Sequence, residues 1–224
     1  MNLRFEKKHY DVIVVGGGMA GLCAAIAAAR QGAHTALIQA RPVLGGNASS
    51  EIRIHISGAD QSLKQPDYAE GGLLYELMLE NKKNNEQFSY SVWDMVLFEK
   101  AKEEKDLEVF FNTVMYDCET EDDRIVSIYC VQETTEMRYQ FYAPVFVDAT
   151  GNGTLGYYAG AEYRKGSEPK SEFGELHAPE KPNNYRMGNS ILLKARDMGH
   201  PVEFTPDRGT VVQAHPLCAD AGHH

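Results

Sequence analysis

Cysteine is scarce and scattered in this chain of 224 residues: Cys23, Cys118, Cys130 and Cys218 are its four, and no two form a C-x-x-C pair. Zinc and iron–sulfur sites draw their ligands from closely spaced cysteines, so neither is expected and no residue is assigned to a metal. Buried thiols are the expected role. Also missing is a long apolar run. The amino terminus, "MNLRFEKKHYDVIVVGGG", holds one short apolar stretch, far below the length of a secretory core or a bilayer span. The expectation is a cytoplasmic protein without a membrane partner. Cations are in deficit as well, with 22 Lys and Arg against 32 Asp and Glu, a formal net charge of −10. Binding to phosphate backbones depends on clustered Lys and Arg, so nucleic acid is not an expected partner. With 43% hydrophobic and 24% charged residues the composition is that of a globular protein, not a disordered one.

Glycine is plentiful and informatively placed. In "YDVIVVGGGMAGLCAAIAAARQGAHTALIQ", the β-branched run Val12–Val15 reads as a central strand of a parallel sheet. Gly16, Gly18 and Gly21 follow in G-x-G-x-x-G spacing, then an alanine-rich helix that stops at Gly32, then the strand "HTALIQ". Strand, glycine turn, helix and strand form the context in which this motif signifies dinucleotide binding. Gly16 permits the tight turn, Gly18 lets the backbone approach a pyrophosphate, and Gly21 lets the helix pack closely. The helix amino terminus at Met19 and Ala20 then faces the phosphates with unpaired N–H groups. At the end of the second strand, where a carboxylate usually meets the ribose, stands Gln39, followed by Ala40 and Arg41. An amide pairs with a hydroxyl more weakly than a carboxylate does, and Arg41 admits a 2′-phosphate as the alternative.

The segment from Asp11 to Asp60 resembles the amino-terminal part of FAD-dependent oxidoreductases of the glutathione-reductase-like superfamily. More narrowly, it is similar to the bacterial FAD-dependent oxidoreductases that carry the signature "RPVLGGNASSE", with further support from "SVWDMVLFEKAKEEKDLEVFFNT", "FVDATGNGTLGYYAGAEYRKGSEPKSEFGE" and "YRMGNSILL". The resemblance implies FAD as cofactor. It implies that Gly45, Gly46 and Asn47 form a second glycine turn along the pyrophosphate, with Ser49 and Ser50 beside the isoalloxazine edge. Met115 matches a position whose backbone meets adenine, and Ala149, Thr150 and Gly151 of "DATG" match the place where the chain returns to the cofactor. Relatives carry a later G-D segment that has no counterpart here, so the resemblance implies the front portion of a longer protein.

The middle of the chain reads as helices and then as strands. "GGLLYELMLENKKNN" sets Leu73, Leu77 and Leu79 near one stripe, and "SVWDMVLFEKAKEEK" places Trp93, Val96, Leu97 and Ala101 at helical spacing behind a Ser91/Asp94 capping box. Trp93 is expected in the core. "LEVFFNTVMYDCE", "RIVSIYCVQ" and "MRYQFY" alternate with period two and are joined by short polar connections, as in an antiparallel meander. In the last of these, Met137, Tyr139 and Phe141 are expected to be buried, with Arg138, Gln140 and Tyr142 outward. "PVFVDATG" reads as a last buried strand.

The expected fold is therefore α/β: a Rossmann-like, parallel-sheet FAD-binding domain over residues 1–165, interrupted by helices at about 58–105 and a β-meander at about 107–142. Residues 166–224 would open an incomplete substrate or cap segment.

One stretch carries the candidate chemistry. In "GGNASSEIRIHIS", Ile52, Ile54 and Ile56 alternate strictly with Glu51, Arg53 and His55, the pattern of a strand with one apolar and one polar face. Next to a flavin, Arg53 would stabilise negative charge or clamp an anionic substrate, His55 would exchange a proton near neutral pH, and Glu51 would orient Arg53. A wet edge strand shows the same alternation without any chemistry. The function that fits is an FAD-dependent oxidoreductase taking a hydride from a small organic substrate, for which association with the family alone suggests a carbohydrate-derived compound. The alternatives are an electron-transfer flavoprotein subunit of the heterodisulfide-reductase type, a nucleotide-binding fragment without chemistry, and an NADP-dependent dehydrogenase.

Overall fold

A computed structural model describes residues 5–57, 71–186 and 197–201. The chain divides into two compact units, Met1–Asn189 and Ser190–His224, and the architecture below is that of the first.

The described residues of this unit form two four-stranded sheets, a layer of three helices and two short helices. The parallel sheet has the order β4-β3-β2-β8, with β2 (Val12–Val15) between β3 (Thr35–Ile38) and β8 (Val145–Asp148), and β4 (Leu107–Phe110) outside β3. The other sheet has the order β1-β7-β6-β5, from β1 (Glu6–His9), β7 (Met137–Tyr142), β6 (Arg124–Gln132) and β5 (Thr113–Glu121). Its β5, β6 and β7 run antiparallel, as the alternation predicts, while β1 lies parallel to β7.

The apolar run of β2 is explained by burial on both sides. Ile13 and Val15 join Ile38, Phe110, Ile128 and Phe141 in a core between the two sheets. Val14 and Leu37 point the other way, into a core with α1 (Met19–Arg30), α2 (Gly72–Asn84) and α3 (Tyr90–Glu103). Alanines of α1 let that helix approach the sheet closely, and Leu22, Ala25 and Ile26 are fully buried there. Trp93, Val96, Leu97 and Ala101 of α3 lie in the same core, as their spacing predicts.

Several local expectations are corrected. "LEVFFNTVMYDCE" is two strands in two sheets, because the chain turns at Asn112, whose φ is 51°, and leaves the parallel sheet for the antiparallel one. Gln140 is buried, because Ser127 and Tyr129 on the neighbouring strand and Glu119 beyond it bond its amide on what alternation makes the outer face. Leu79 is exposed rather than part of the α2 stripe. The residue before α3 is Ser89, not Ser91, and its N–H donates to Asn85 Oδ1 at 2.8 Å. In β8, Val145 is half-exposed, since only β2 flanks that strand among the described residues. Charged β1 was not evident from periodicity; Lys8 reaches Glu6 and Glu108, and lysines of this kind suit an edge strand.

Cys130 is buried, and burial pushes its thiol up; Cys23 and Cys118 are part-buried thiols, and Cys218 lies outside the described residues. Among the described residues no group of His, Cys, Asp and Glu is arranged to hold a metal ion, and no helix is long and apolar enough to cross a membrane.

Candidate functional site

A cavity of about 690 Å³ opens at the carboxyl ends of β2 and β3. That is where ligands sit in open parallel sheets, and the volume falls within the range of small-molecule sites. Its walls come from six stretches: the glycine turn and the start of α1, the end of β3 from Ile38 to Arg41, residues 45–48, residues 54–57, the start of β5 from Thr113 to Met115, and the Ala149–Gly151 turn with Thr154.

The glycine turn behaves as its spacing demands. Gly16 has φ +105°, and a Cβ there would lie 2.2 Å from the Ala149 carbonyl oxygen, so only glycine fits. A Cβ on Gly21 would lie 1.8 Å from the Gly16 oxygen, which ties the first turn of α1 directly onto the loop. Gly18 is different: nothing stands within 4 Å of where its Cβ would be. The backbone there faces open cavity, at the start of a helix that has no side-chain cap and no acidic residue in its first turn. Leu22 N–H is the first to bond within the helix, to Gly18 O at 2.8 Å, so the N–H groups before it are the donors an anion would meet. No carboxylate lines the cavity among the described residues. These residues fit a dinucleotide diphosphate.

The second glycine turn lies against the first. Gly45 N–H donates to Gly17 O at 2.8 Å, and Gly45 bridges Gly18 in parallel fashion, so the two turns form one continuous wall. Residues Gly46–Ala48 make a short 3₁₀ turn, and Asn47 lies exposed on the wall.

Gln39 sits where the usual ribose acid would, but it serves the protein. Its Oε1 accepts from Gly17 N–H at 2.9 Å and its Nε2 donates to Val43 O at 2.7 Å, with the residue 5% exposed. A carboxylate could not donate the second bond. Arg41 is spoken for as well, its Nε and Nη2 meeting Glu51 Oε2 and Oε1 at 2.9 and 3.0 Å. Arg41 also lines the cavity, and the pairing shows that Glu51 orients Arg41 rather than Arg53.

Residues 51–57 do not form the expected strand. Arg53 N–H bonds Ser49 O at 2.8 Å and Ile54 N–H bonds Asn47 O at 2.9 Å, so the chain makes a helical turn and reverses. Arg53 adopts φ 62° at the end of that turn, which breaks the alternation of faces, and Ile52 and Ile54 are exposed. The Arg53 side chain is exposed, donates from Nε to Ser50 O at 2.9 Å and does not line the cavity. His55 does line it.

Of the other residues expected at a cofactor, Met19, Ala20, Ala40, Met115, Ala149, Thr150 and Gly151 line the cavity, whereas Gly21, Ser49 and Ser50 do not. Ser49 is fully buried and donates from Oγ to Gly46 O at 2.7 Å, holding the 3₁₀ turn from beneath. Ser50 N–H is accepted by Asp94 Oδ1 of α3 at 2.9 Å. The capping pattern gave Asp94 a different role, and the lining residues Thr113 and Val114 carried no signal of a site, because these positions depend on contacts between distant segments.

The "DATG" turn is held by its own side chains. Asp148 Oδ1 accepts from Thr150 N–H at 3.0 Å and Thr150 Oγ1 at 2.7 Å, and Oδ2 accepts from Gly156 N–H at 2.9 Å in α4 (Thr154–Tyr158). Burial alone would raise the Asp148 carboxyl, but these donors prevail and hold it below the usual range.

Comparison with known proteins follows the same lines. Residues 11–215 match the family described as FAD dependent oxidoreductase. The chain is 29% identical, over an alignment of 225 residues, to the tRNA uridine 5-carboxymethylaminomethyl modification enzyme MnmG of Treponema pallidum, covering 93% of this chain and 34% of that one. It is 33% identical over 79 residues to glycerol-3-phosphate dehydrogenase of Mycobacterium leprae, covering 35% of this chain and 13% of that one. The chain thus spans 34% or less of the length of these curated relatives. Among solved structures, flavin-dependent brominase Bmp2 is similar with a TM-score of 0.51 at 18% identity, over 72% of this chain and 43% of that one. A geranylgeranyl bacteriochlorophyll reductase-like protein from Thermoplasma acidophilum is similar with a TM-score of 0.50 at 19% identity, over 70% and 43%. At such identities the likeness speaks for the fold.

Proposed function

Since the chain belongs to the FAD-dependent oxidoreductase family, with FAD as its cofactor, we propose that it forms the cofactor-holding part of an enzyme that takes a hydride from a small organic substrate. The observation that carries this reading is the open space at Gly18, beside the uncapped amino terminus of α1 and inside a cavity of about 690 Å³. When bound, FAD accepts the reducing equivalents that the substrate gives up.

The chain's own residues bind and orient. N–H groups at the start of α1 hold the diphosphate, and the wall formed by Gly45, Gly46 and Asn47 extends the groove toward His55. The ribose end lies at Ala40 and the adenine end at Met115, where backbone and small side chains leave room. His55 is the titratable side chain on this wall that is placed to take a proton from a substrate hydroxyl. Arg53 serves by holding the Ser50 carbonyl and keeping the turn closed, and is a positioning residue in this scheme.

The surplus of acidic residues, −10 overall, argues against tRNA, the substrate in the name of MnmG. A small molecule is the proposed substrate, the cytoplasm the proposed compartment, and residues 166–224 the proposed start of a substrate or cap segment.

Titration of the purified protein with FAD, followed by flavin absorbance and calorimetry, tests the cofactor role: saturable binding that weakens in Gly18→Val supports it, and no binding overturns it. In the flavin-loaded protein, His55→Ala should slow flavin reduction by substrate roughly 10²-fold or more. An unchanged rate removes His55 from the scheme.

A further inference from the structure

A second cavity, of about 420 Å³, lies between residues 54–56 and the helix pair α2 and α3. It shares Ala48, Ile54, His55 and Ile56 with the larger cavity, so one thin wall serves both. We infer that this second cavity is a binding chamber for the substrate, shaped for an uncharged molecule with a flat apolar ring and a hydrogen-bonding amide or hydroxyl group. The inference rests on the reading of the larger cavity as the FAD site.

The lining carries the chemistry. Phe88, Tyr90 and Trp93 supply aromatic faces, Met78 adds a flexible apolar surface, and among the described residues no Asp, Glu, Lys or Arg faces the space. A charged ligand would lose its hydration without a partner, whereas a neutral ring would gain aromatic contact. Polar capacity is limited to amides, hydroxyls and the His55 imidazole on the shared wall. Asn85 Nδ2 donates to Asn81 Oδ1 at 2.9 Å and to Ser89 O at 2.8 Å, which fixes the orientation of the Asn81 amide. With its oxygen engaged, the NH₂ group of Asn81 is the part a ligand meets.

Phe88 adds an independent sign. It has φ 51°, a conformation that bulky side chains avoid, and it is 81% exposed at the edge of the cavity. Folding gains nothing from a large aromatic held out in water on a strained backbone. Such strain persists where a ligand uses it. His55, on the shared wall, stands between this chamber and the cofactor cavity.

Trp93 lines the chamber and is the single tryptophan of the chain, so its emission reports directly on occupancy. The test is a fluorescence titration of the full chain with three probes of one shape: benzamide, benzoate and benzylammonium. It is run at about pH 8, above the range in which histidine ordinarily charges. Benzamide should give a saturable change, with the two ions at least about tenfold weaker, since neither finds a partner for its charge. Phe88→Asn relieves the backbone and removes the ring, so thermal stability should hold or rise while benzamide weakens severalfold. Asn81→Asp keeps the acceptor for Asn85 and adds a negative charge, and should move the preference toward benzylammonium. Equal response to all three probes, no saturable response, or indifference to both variants overturns the chamber. FAD titration, read separately by flavin absorbance, keeps the two readings apart: FAD binding without a benzamide response sinks the chamber alone. Loss of FAD binding with the benzamide response intact sinks the cofactor reading and with it the assignment of this molecule as substrate.

Discussion

Asp94 of α3 accepts a hydrogen bond from the Ser50 N–H at 2.9 Å across 44 residues of sequence, and so fastens the wall of the larger cavity to a helix of the core. One turn earlier on the same helix, Tyr90 donates from its hydroxyl to the Arg53 carbonyl at 2.9 Å. Removing the carboxylate in Asp94→Ala leaves the Ser50 N–H without its charged acceptor, at a cost of about 1.5–3 kcal/mol. Calorimetric unfolding should show that loss, and FAD affinity should fall severalfold, with Asp94→Asn in between.

Gly18 and Gly21 are three residues apart and should respond oppositely. Gly21→Ala drives a methyl group onto the Gly16 oxygen, and should destabilise the apoprotein by about 1–3 kcal/mol. Gly18→Ala meets no protein atom and sits at φ −65°, which any residue adopts, so stability should change by less than about 0.5 kcal/mol while FAD binding weakens. Thermal melts of the apoprotein beside FAD titrations separate the two.

Gln39→Glu installs the carboxylate common at this strand end, yet it should weaken the protein rather than improve ribose binding. The new oxygen would face the Val43 carbonyl that Nε2 now serves, in a buried place, at a cost of about 1–3 kcal/mol. Urea denaturation at neutral and mildly acidic pH checks this: protonating the glutamate should recover part of the loss.

Asp148 gives the protein an acid-side dependence. Its carboxyl lies below the usual value when folded, so its contribution is fully present above the unfolded value, about 4, and is lost as pH falls through the lower folded one. Unfolding free energies of wild type and Asp148→Asn should therefore differ by a constant amount above about pH 5 and converge below about pH 4. Parallel curves down to the acid limit would contradict the hydrogen bonds assigned to this turn.

What could be read from the sequence was local. Val12–Val15, the glycine spacing and the alanine helix fix one another within thirty residues or so, and each behaves as its chemistry requires. The same holds for Trp93 and its helical neighbours, whose burial follows from spacing alone. The stretch from Glu51 to Ser57 was misleading because alternation records only side-chain type. Its backbone is set by bonds from Arg53 to Ser49 and from Tyr90 to Arg53, and the second of these comes from a helix far along the chain. Gln39 was opaque for a similar reason: its partners at Gly17 and Val43 exist only once the loops have met. The break within "LEVFFNTVM" left no trace in the pattern, because both pieces alternate equally well.

That break has a consequence for how the molecule comes apart. Only Phe111 and Asn112 separate β4 in one sheet from β5 in the other, and the Gln39 backbone bonds both sides of the joint, donating to Phe110 O and accepting from Thr113 N–H at 2.9 Å each. Neither sheet can slip by a residue without dragging its neighbour. Amide protons of both should therefore exchange with deuterium in a single concerted opening.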